Sequence, residues 1–157
     1  MIENIRLICC DIDGTLTDGM IYLGAEGELF KTFNVKDGLG VSLAQKRGIR
    51  FALITGRKSD IVNRRAEELG IDEVYQGVED KRSVVQELIK KYRVTRDQVA
   101  YIGDDVNDVC VKSVVGWLVA VGDAHPKVKK EADIVLQSAG GKGAIREFID
   151  LYVLPEG

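Results

Sequence analysis

Residues 7–15 are Leu-Ile-Cys-Cys-Asp-Ile-Asp-Gly-Thr, a short apolar run followed at once by two carboxylates. A continuously apolar run of this length is typical of a strand that is buried on both faces of a parallel sheet. Side chains two residues apart on an extended chain face the same way, so we expect Asp11 and Asp13 to converge on one site. The stretch therefore predicts a strand with catalytic or ligand-binding residues at its carboxyl end.

Similar apolar runs recur along the chain and alternate with segments of helical periodicity. This alternation predicts an α/β fold, with a doubly wound, mostly parallel sheet in the strand order 3-2-1-4-5 and right-handed crossovers. The predicted strands are Leu7–Cys10, Phe51–Ile54, Glu73–Gln76, Val99–Ile102, Leu118–Val121 and, more weakly, Ile134–Leu136. The predicted helices are Gly38–Lys46, Ser59–Leu69, Lys81–Tyr92, Val106–Val115 and Gly143–Leu151.

The alternation is interrupted once, at residues 19–33, where two β-rich runs flank a turn that contains glycine. This pattern predicts a β-hairpin inserted directly after the first strand. The chain has 157 residues, the length of one ordinary domain. We therefore expect a single domain over residues 1–157, with a C-terminal tail at 140–157 and no second domain to cover a site.

Composition excludes several classes of protein. The chain is 45% hydrophobic and 30% charged with a net charge of −3, which disfavours a nucleic-acid binder. No apolar stretch approaches the roughly 18 residues of a membrane span. Met1–Arg6 lacks the pattern of a signal peptide, so we expect a cytoplasmic protein. Cys9, Cys10 and Cys110 are then expected to be buried, unpaired small hydrophobic residues.

A second acidic cluster, Gly-Asp-Asp-Val-Asn-Asp at 103–108, follows the fourth predicted strand. In the predicted strand order this strand lies beside the first, so both clusters reach the same crevice at the carboxyl ends of the strands. Carboxylates brought together there repel each other unless a cation lies among them, and oxygen ligands with room for water favour Mg²⁺. Thr55, after the second strand, can hold a phosphate with nearby backbone N–H groups, and Lys81 can offset negative charge.

Taken in order, these residues resemble the four motifs of the haloacid dehalogenase superfamily. The motifs are Asp-x-Asp-Gly-Thr at 11–15, Thr55, Lys81, and Gly-Asp-Asp-x-x-Asp at 103–108, each after the expected strand. The resemblance implies a phosphatase of the branch that has no cap domain. It also implies that phosphate passes through a covalent aspartyl-phosphate.

The resemblance assigns a role to each motif residue. Asp11 is implied to be the nucleophile, and Asp13 the general acid and then the general base. Thr55 and Lys81 are implied to stabilise the transferring phosphoryl group. Mg²⁺ is implied to bind the side chains of Asp11 and Asp104 and the backbone carbonyl of Asp13.

A narrower resemblance covers nearly the whole chain. The run Asp-x-Asp-Gly-x-Leu-Thr-Asp-Gly from Asp11, the hairpin, Phe33–Gly40 and Gly140–Glu147 are similar to the 3-deoxy-D-manno-octulosonate 8-phosphate phosphatases. Those enzymes serve lipopolysaccharide precursor synthesis, which implies an acidic sugar phosphate as substrate. The resemblance also implies a homo-oligomer, expected to be a tetramer, in which the hairpin and tail of neighbouring subunits help to close the site.

The same resemblance implies a set of substrate-binding residues around the phosphate site. For Arg57, a guanidinium next to Thr-Gly also has the fork geometry that suits a carboxylate. Arg65 has an alternative as a surface charge paired with Glu68, three residues further along a helix. The implied substrate-binding residues are Asp13, Asn34, Val35, Lys36, Asp37, Gly38, Ser42, Arg57, Arg65 and Lys81.

Three alternatives remain. Phosphatases of 2-keto-3-deoxynonulosonate 9-phosphate tend to carry Glu where this chain has Arg57, which favours the octulosonate. A non-catalytic oligomerisation module of a nonulosonate cytidylyltransferase system is disfavoured by the intact Asp11, Asp13, Lys81 and Asp104. A phosphotransferase or mutase would need a lid to exclude water, and the sequence contains none.

Overall fold

The computed structural model describes residues 2–155, and a six-stranded parallel sheet forms its centre. The strands are β1 Leu7–Cys10, β2 Tyr22–Gly24, β3 Gly27–Phe30, β4 Arg50–Ile54, β5 Glu73–Tyr75, β6 Val99–Gly103, β7 Trp117–Ala120 and β8 Ile134–Val135. The α-helices are α1 Val35–Lys46, α2 Asp60–Leu69, α3 Lys81–Tyr92, α4 Pro126–Glu131 and α5 Ala144–Phe148. Shorter helical turns span Ile12–Leu16, Arg96–Gln98, Val106–Ser113 and Ile149–Val153.

The large sheet has the order β5-β4-β1-β6-β7-β8, and every pair in it is parallel. This confirms the predicted α/β, doubly wound arrangement. Strand β1 lies between β4 and β6, and both of its faces are buried. Ile8 and Cys10 pack into one hydrophobic cluster, and Leu7 and Cys9 pack into the other. The carboxyl end of β1 therefore opens at the centre of the sheet, beside the end of β6.

Several helices differ from the prediction. Helix α2 begins one residue later, the predicted helix Gly143–Leu151 is divided into α5 and the turn Ile149–Val153, and α4 was not predicted. Helix α1 begins at Val35 rather than Gly38, because the Asn34 side chain accepts a hydrogen bond from the backbone N–H of Lys36 at 2.8 Å and caps the helix. The segment after β6 is a 3₁₀ helix, Val106–Ser113, and begins at a capping box formed by Asp105. Cys110 lies on the outer face of this helix, away from the buried Asp108 and Val111, so the expectation that all three cysteines are buried is wrong for this one.

The hairpin β2–β3 forms a separate two-stranded sheet, as predicted, and lies outside the main core. Within residues 2–155 it is the insertion between β1 and α1, and no second domain covers the carboxyl ends of the strands. None of the helices in this described range is long and apolar enough to cross a bilayer.

The segment before α5 packs against the loop that follows β1. The backbone N–H of Gly141 donates to the carbonyl of Thr15 at 3.0 Å. A Cβ atom on Gly140 would lie 1.8 Å from the carbonyl oxygen of Gly14, so only glycine fits there. The C-terminal part of the domain therefore holds the loop that carries Asp11 and Asp13.

Candidate active site

Three carboxylates from two neighbouring strands meet at the centre of the sheet. Asp11 directly follows β1, and Asp104 and Asp108 follow β6. One oxygen atom from each of the three lies within 4.8 Å of the others. The parallel pairing of β1 with β6 brings the two acidic clusters into one crevice, as the sequence predicted.

A buried ammonium group balances part of this charge. Lys81, the first residue of α3, is 1% exposed, and its Nζ donates to Asp11 Oδ1 at 2.9 Å and to Asp108 Oδ1 at 2.7 Å. Burial on its own lowers the pKa of Lys81, but the two neighbouring carboxylates outweigh it and raise the pKa above its usual value. The side chain is therefore a fixed positive charge beneath the site.

Asp108 serves mainly to hold other groups in place. Its Oδ1 accepts from Lys81 and from the Tyr101 hydroxyl at 2.6 Å, and its Oδ2 accepts from the backbone N–H groups of Asp104 and Asp105 at 2.9 and 3.2 Å. These four donors use its acceptor positions, so Asp108 orients the lysine and the loop rather than offering an oxygen to a ligand.

Asp11 and Asp104 are the carboxylates that remain for a ligand. Burial and the neighbouring negative charge of Asp108 raise the pKa of Asp11, although Lys81 opposes them. Burial and the adjacent Asp11 raise the pKa of Asp104 to about 9. Within residues 2–155, the buried Oδ1 of Asp104 has no hydrogen-bond partner. A hard divalent cation such as Mg²⁺ would reduce the repulsion between these two carboxylates and would give the Asp104 oxygen a partner. The residues therefore fit that ion.

The mouth of the site is a cavity of about 150 Å³. Thr55 is buried there, and its hydroxyl accepts from the backbone N–H of Arg57 at 3.3 Å. Asn107 also lines the cavity. The sequence did not predict this, because the acidic motif Gly-Asp-Asp-x-x-Asp leaves position 107 unspecified. The lining residues are Asp11, Asp13, Thr55, Gly56, Arg57, Asp104, Asp105 and Asn107.

Models of haloacid dehalogenase-like hydrolases match two overlapping parts of the chain, residues 24–109 and residues 73–149. The chain belongs to this family. The matched ranges include the buried Lys81 and the acidic cluster at 103–108, together with the strands from β3 to β8.

Relatives within the haloacid dehalogenase-like hydrolases extend the likeness over almost the whole chain. The 3-deoxy-D-manno-octulosonate 8-phosphate phosphatase of Escherichia coli strain K12 is 47% identical over 155 residues, which are 99% of this chain and 82% of that protein. The crystal structure of the phosphatase of that name from Yersinia pestis is 46% identical, with a TM-score of 0.93 over 96% of this chain and 82% of its own. The phosphatase from Moraxella catarrhalis, solved with magnesium, phosphate and KDO, is 39% identical with a TM-score of 0.91 over 95% of this chain and 86% of its own.

Several of the predicted site residues of this hydrolase lie together. Asp11, Asp13, Thr55, Arg57 and Asp104 line the cavity, and Lys81 lies beneath it. The remaining predicted substrate-binding residues do not line it: Asn34, Val35, Lys36, Asp37, Gly38, Ser42 and Arg65.

Two of these outlying residues make structural contacts. Asp37 is 1% exposed, and its Oδ1 accepts from the backbone N–H of Arg146 at 2.9 Å, so it faces the start of α5. The Arg65 guanidinium packs over the Phe33 ring at 5.3 Å and lies 3.3 Å from Glu68. The ion pair that the sequence offered as an alternative for Arg65 is therefore present. A role for either residue in substrate binding stays a prediction.

No motif in the sequence marks Lys31 as a residue of the site. Its Nζ donates to Asp13 Oδ1 at 2.7 Å, and its side chain is only 2% exposed. Lys31 follows β3 of the hairpin, in a segment without a motif. Its approach to Asp13 depends on how the hairpin folds back, which local sequence does not encode.

Proposed function

We propose that this chain is a Mg²⁺-dependent phosphatase that hydrolyses 3-deoxy-D-manno-octulosonate 8-phosphate to the free sugar acid and inorganic phosphate, in lipopolysaccharide precursor synthesis. The observation that carries the proposal is the 47% identity to a phosphatase of that name over 99% of the chain. The complete charged cluster at the ends of β1 and β6 supports an active enzyme rather than a non-catalytic module.

Asp11 is the proposed nucleophile. Its carboxylate attacks phosphorus, the bond to the sugar oxygen breaks, and an aspartyl-phosphate forms. Lys81, 2.9 Å from Asp11, remains protonated and stabilises the negative charge on the reacting groups. The Thr55 hydroxyl and nearby backbone N–H groups orient the phosphoryl oxygens at the mouth of the site.

Asp13 is the proposed proton carrier. It gives a proton to the sugar oxygen as that oxygen leaves, and then takes one from the water that attacks the aspartyl-phosphate. Attack by that water breaks the bond between Asp11 and phosphorus and releases inorganic phosphate.

Mg²⁺ would be held by the side chains of Asp11 and Asp104 and by the backbone carbonyl of Asp13. When bound, it neutralises charge on the carboxylates and on the phosphoryl group. The unpaired buried oxygen of Asp104 supports this set of ligands.

Arg57 supports an acidic sugar as the substrate. Its guanidinium lies at the cavity mouth with its side chain half exposed, 3.9 Å from Asp13 Oδ2. A planar guanidinium in that position suits a sugar carboxylate. It also favours the octulosonate over the nonulosonate 9-phosphate, whose phosphatases tend to have Glu at this position.

We also propose a cytoplasmic homo-oligomer, a tetramer by its resemblance to the octulosonate phosphatases, in which a neighbouring subunit shelters the open site. Large apolar side chains on the hairpin and at the start of α1 are exposed to solvent, and such patches mark interaction surfaces. The exposed residues are Met20, Ile21, Leu23, Leu29, Phe30, Val35 and Leu39.

Phosphate release from octulosonate 8-phosphate and from nonulosonate 9-phosphate, each with Mg²⁺ and with EDTA, tests the function. We expect a higher kcat/KM for the octulosonate, loss of turnover in EDTA and in Asp11→Asn, and no change in Asp97→Asn, an exposed acid away from the site. Arg57→Glu should shift the preference toward the nonulosonate. If the wild-type protein releases no phosphate from either compound, the proposal is wrong.

A further inference from the structure

The side chain of Lys31 is buried although the hairpin that carries it is largely exposed. The residues just before it, Leu29 and Phe30, are 64% and 47% exposed, whereas the Lys31 side chain is 2% exposed. Its ammonium group reaches out of the hairpin into the main body and lies 2.7 Å from Asp13 Oδ1. An ammonium group loses its hydration on burial, so it needs close ionic partners.

A second carboxylate fixes the lysine from the hairpin side. Glu28 Oε2 lies 3.0 Å from Lys31 Nζ, and Glu28 Oε1 accepts from the Ser59 hydroxyl at 2.5 Å. Ser59 is itself held, because its backbone N–H donates to Gln76 Oε1 at 2.7 Å and its side chain caps α2. The ammonium group is therefore held in one place by the main body of the fold.

The contact distinguishes the two oxygens of Asp13. Oδ1 accepts from Lys31, whereas Oδ2 lies 3.9 Å from Arg57 Nε, beyond hydrogen-bond distance. Asp13 lines the cavity, so Oδ2 is the oxygen that remains for a reacting group.

We propose that Lys31 is a positioning residue that holds the Asp13 carboxyl group by Oδ1 and thereby presents Oδ2 for proton transfer. The inference rests on the proposed function, specifically on Asp13 as the proton carrier. In the first step the proton moves from Asp13 Oδ2 to the sugar oxygen as the P–O bond breaks and its electron pair stays on that oxygen. In the second step Oδ2 takes a proton from the attacking water, while Lys31 keeps its own protons throughout.

A purely structural role for Lys31 predicts a different result. A lysine that only anchors the hairpin would support every substrate equally. A lysine that orients the general acid matters only when the leaving group needs a proton. A sugar alkoxide needs one, whereas p-nitrophenolate is a stable anion and does not. Comparing activity on substrates with these two leaving groups therefore distinguishes the two roles.

The experiment compares Lys31→Met with wild type by kcat/KM on octulosonate 8-phosphate and on p-nitrophenyl phosphate. We expect a fall of about 100-fold on the sugar phosphate, the size of effect that a misplaced catalytic group produces, and about 3-fold or less on the aryl phosphate. Lys31→Arg should restore most of the difference. Lys46→Met, an exposed lysine at the end of α1, should behave as wild type on both.

A double variant adds an internal check. In an Asp13→Asn background, Lys31→Met should cause no further selective loss, because the group that it positions is already removed. Circular dichroism and size-exclusion chromatography establish that each variant is folded. If Lys31→Met is poorly folded, Glu28→Gln removes one anchor of the lysine and should cause a smaller loss of the same selectivity.

Equal losses on both substrates, or no loss on either, would overturn the inference. Failure of the proposed function has a different signature, because the wild-type protein itself would then not release phosphate from octulosonate 8-phosphate. In that case the comparison uses another sugar phosphate that the protein does hydrolyse, and the leaving-group dependence still tests Lys31.

Discussion

The raised pKa of Asp104 makes the binding of Mg²⁺ to this chain dependent on pH. Burial and the neighbouring Asp11 raise this pKa from 3.8 to about 9. A metal binds the carboxylate, so below about pH 9 it must displace a proton. We therefore expect the apparent Kd for Mg²⁺ to fall about tenfold per pH unit, and about a hundredfold between about pH 6 and about pH 8.

The same proton affects the stability of the metal-free protein in the opposite direction. With a pKa of about 9 in the folded chain against 3.8, Asp104 holds a proton that the unfolded chain has released. Its contribution to the free energy of unfolding is fully present below the unfolded pKa and is lost as the pH rises to the folded pKa. The loss is about 1 kcal/mol per pH unit for this partly exposed group, or about 2–4 °C in Tm for a chain of this size.

Calorimetry and thermal unfolding measure the two effects. Titration of Mg²⁺ in two buffers of different ionisation enthalpy counts the protons released on binding, and Tm in EDTA against Tm in Mg²⁺ gives the stabilisation. The gap in Tm should widen from about pH 6 to about pH 8. Asp97→Asn should leave both trends intact, whereas Asp104→Asn should reduce the number of protons released. A Kd that stays constant over this range, without proton release, would refute the reasoning.

Three further predictions concern packing and assembly. Gly140→Ala places a Cβ 1.8 Å from the Gly14 carbonyl oxygen, so we expect a loss of about 2 kcal/mol in denaturant unfolding and a large fall in kcat as the catalytic loop shifts. Asp37→Asn weakens the acceptor of the Arg146 N–H and should lower stability by about 1 kcal/mol. A raised KM in this variant would support the predicted role of Asp37 in substrate binding, and an unchanged KM would contradict it. Leu29→Lys, on the exposed apolar hairpin, should reduce the oligomer measured by light scattering while the far-UV spectrum stays the same, and an unchanged molar mass would exclude this face as the interface.

The main sheet was predictable because its signals are local. Leu7–Cys10 and Lys81–Tyr92 have the bounds that the sequence predicted, since one is a continuous apolar run and the other has helical periodicity after a capping Asp80. The central carboxylates were predictable because strands one and four of a doubly wound sheet are neighbours.

The contacts that were not predicted are long-range. Lys31 reaches Asp13 across 18 residues, and Asp37 reaches Arg146 across 109. Neither contact produces a periodic pattern in the sequence, because each depends on which distant segments the fold brings together. Cys110 lies between the buried Asp108 and Val111, and its exposure depends on which face of that helix packs against the rest of the fold.

The ion triad of Lys81, Asp11 and Asp108 is needed for the proposed chemistry but does not favour the stability of the fold. All three side chains are almost completely removed from water. Apolar residues of similar volume often make a more stable protein at such positions. A mutant library selected for heat resistance alone would therefore favour variants in which this charged centre is lost. Engineering of a more robust form of this chain needs a screen for turnover at every round, since the most readily stabilised part of the core is also the part that reacts.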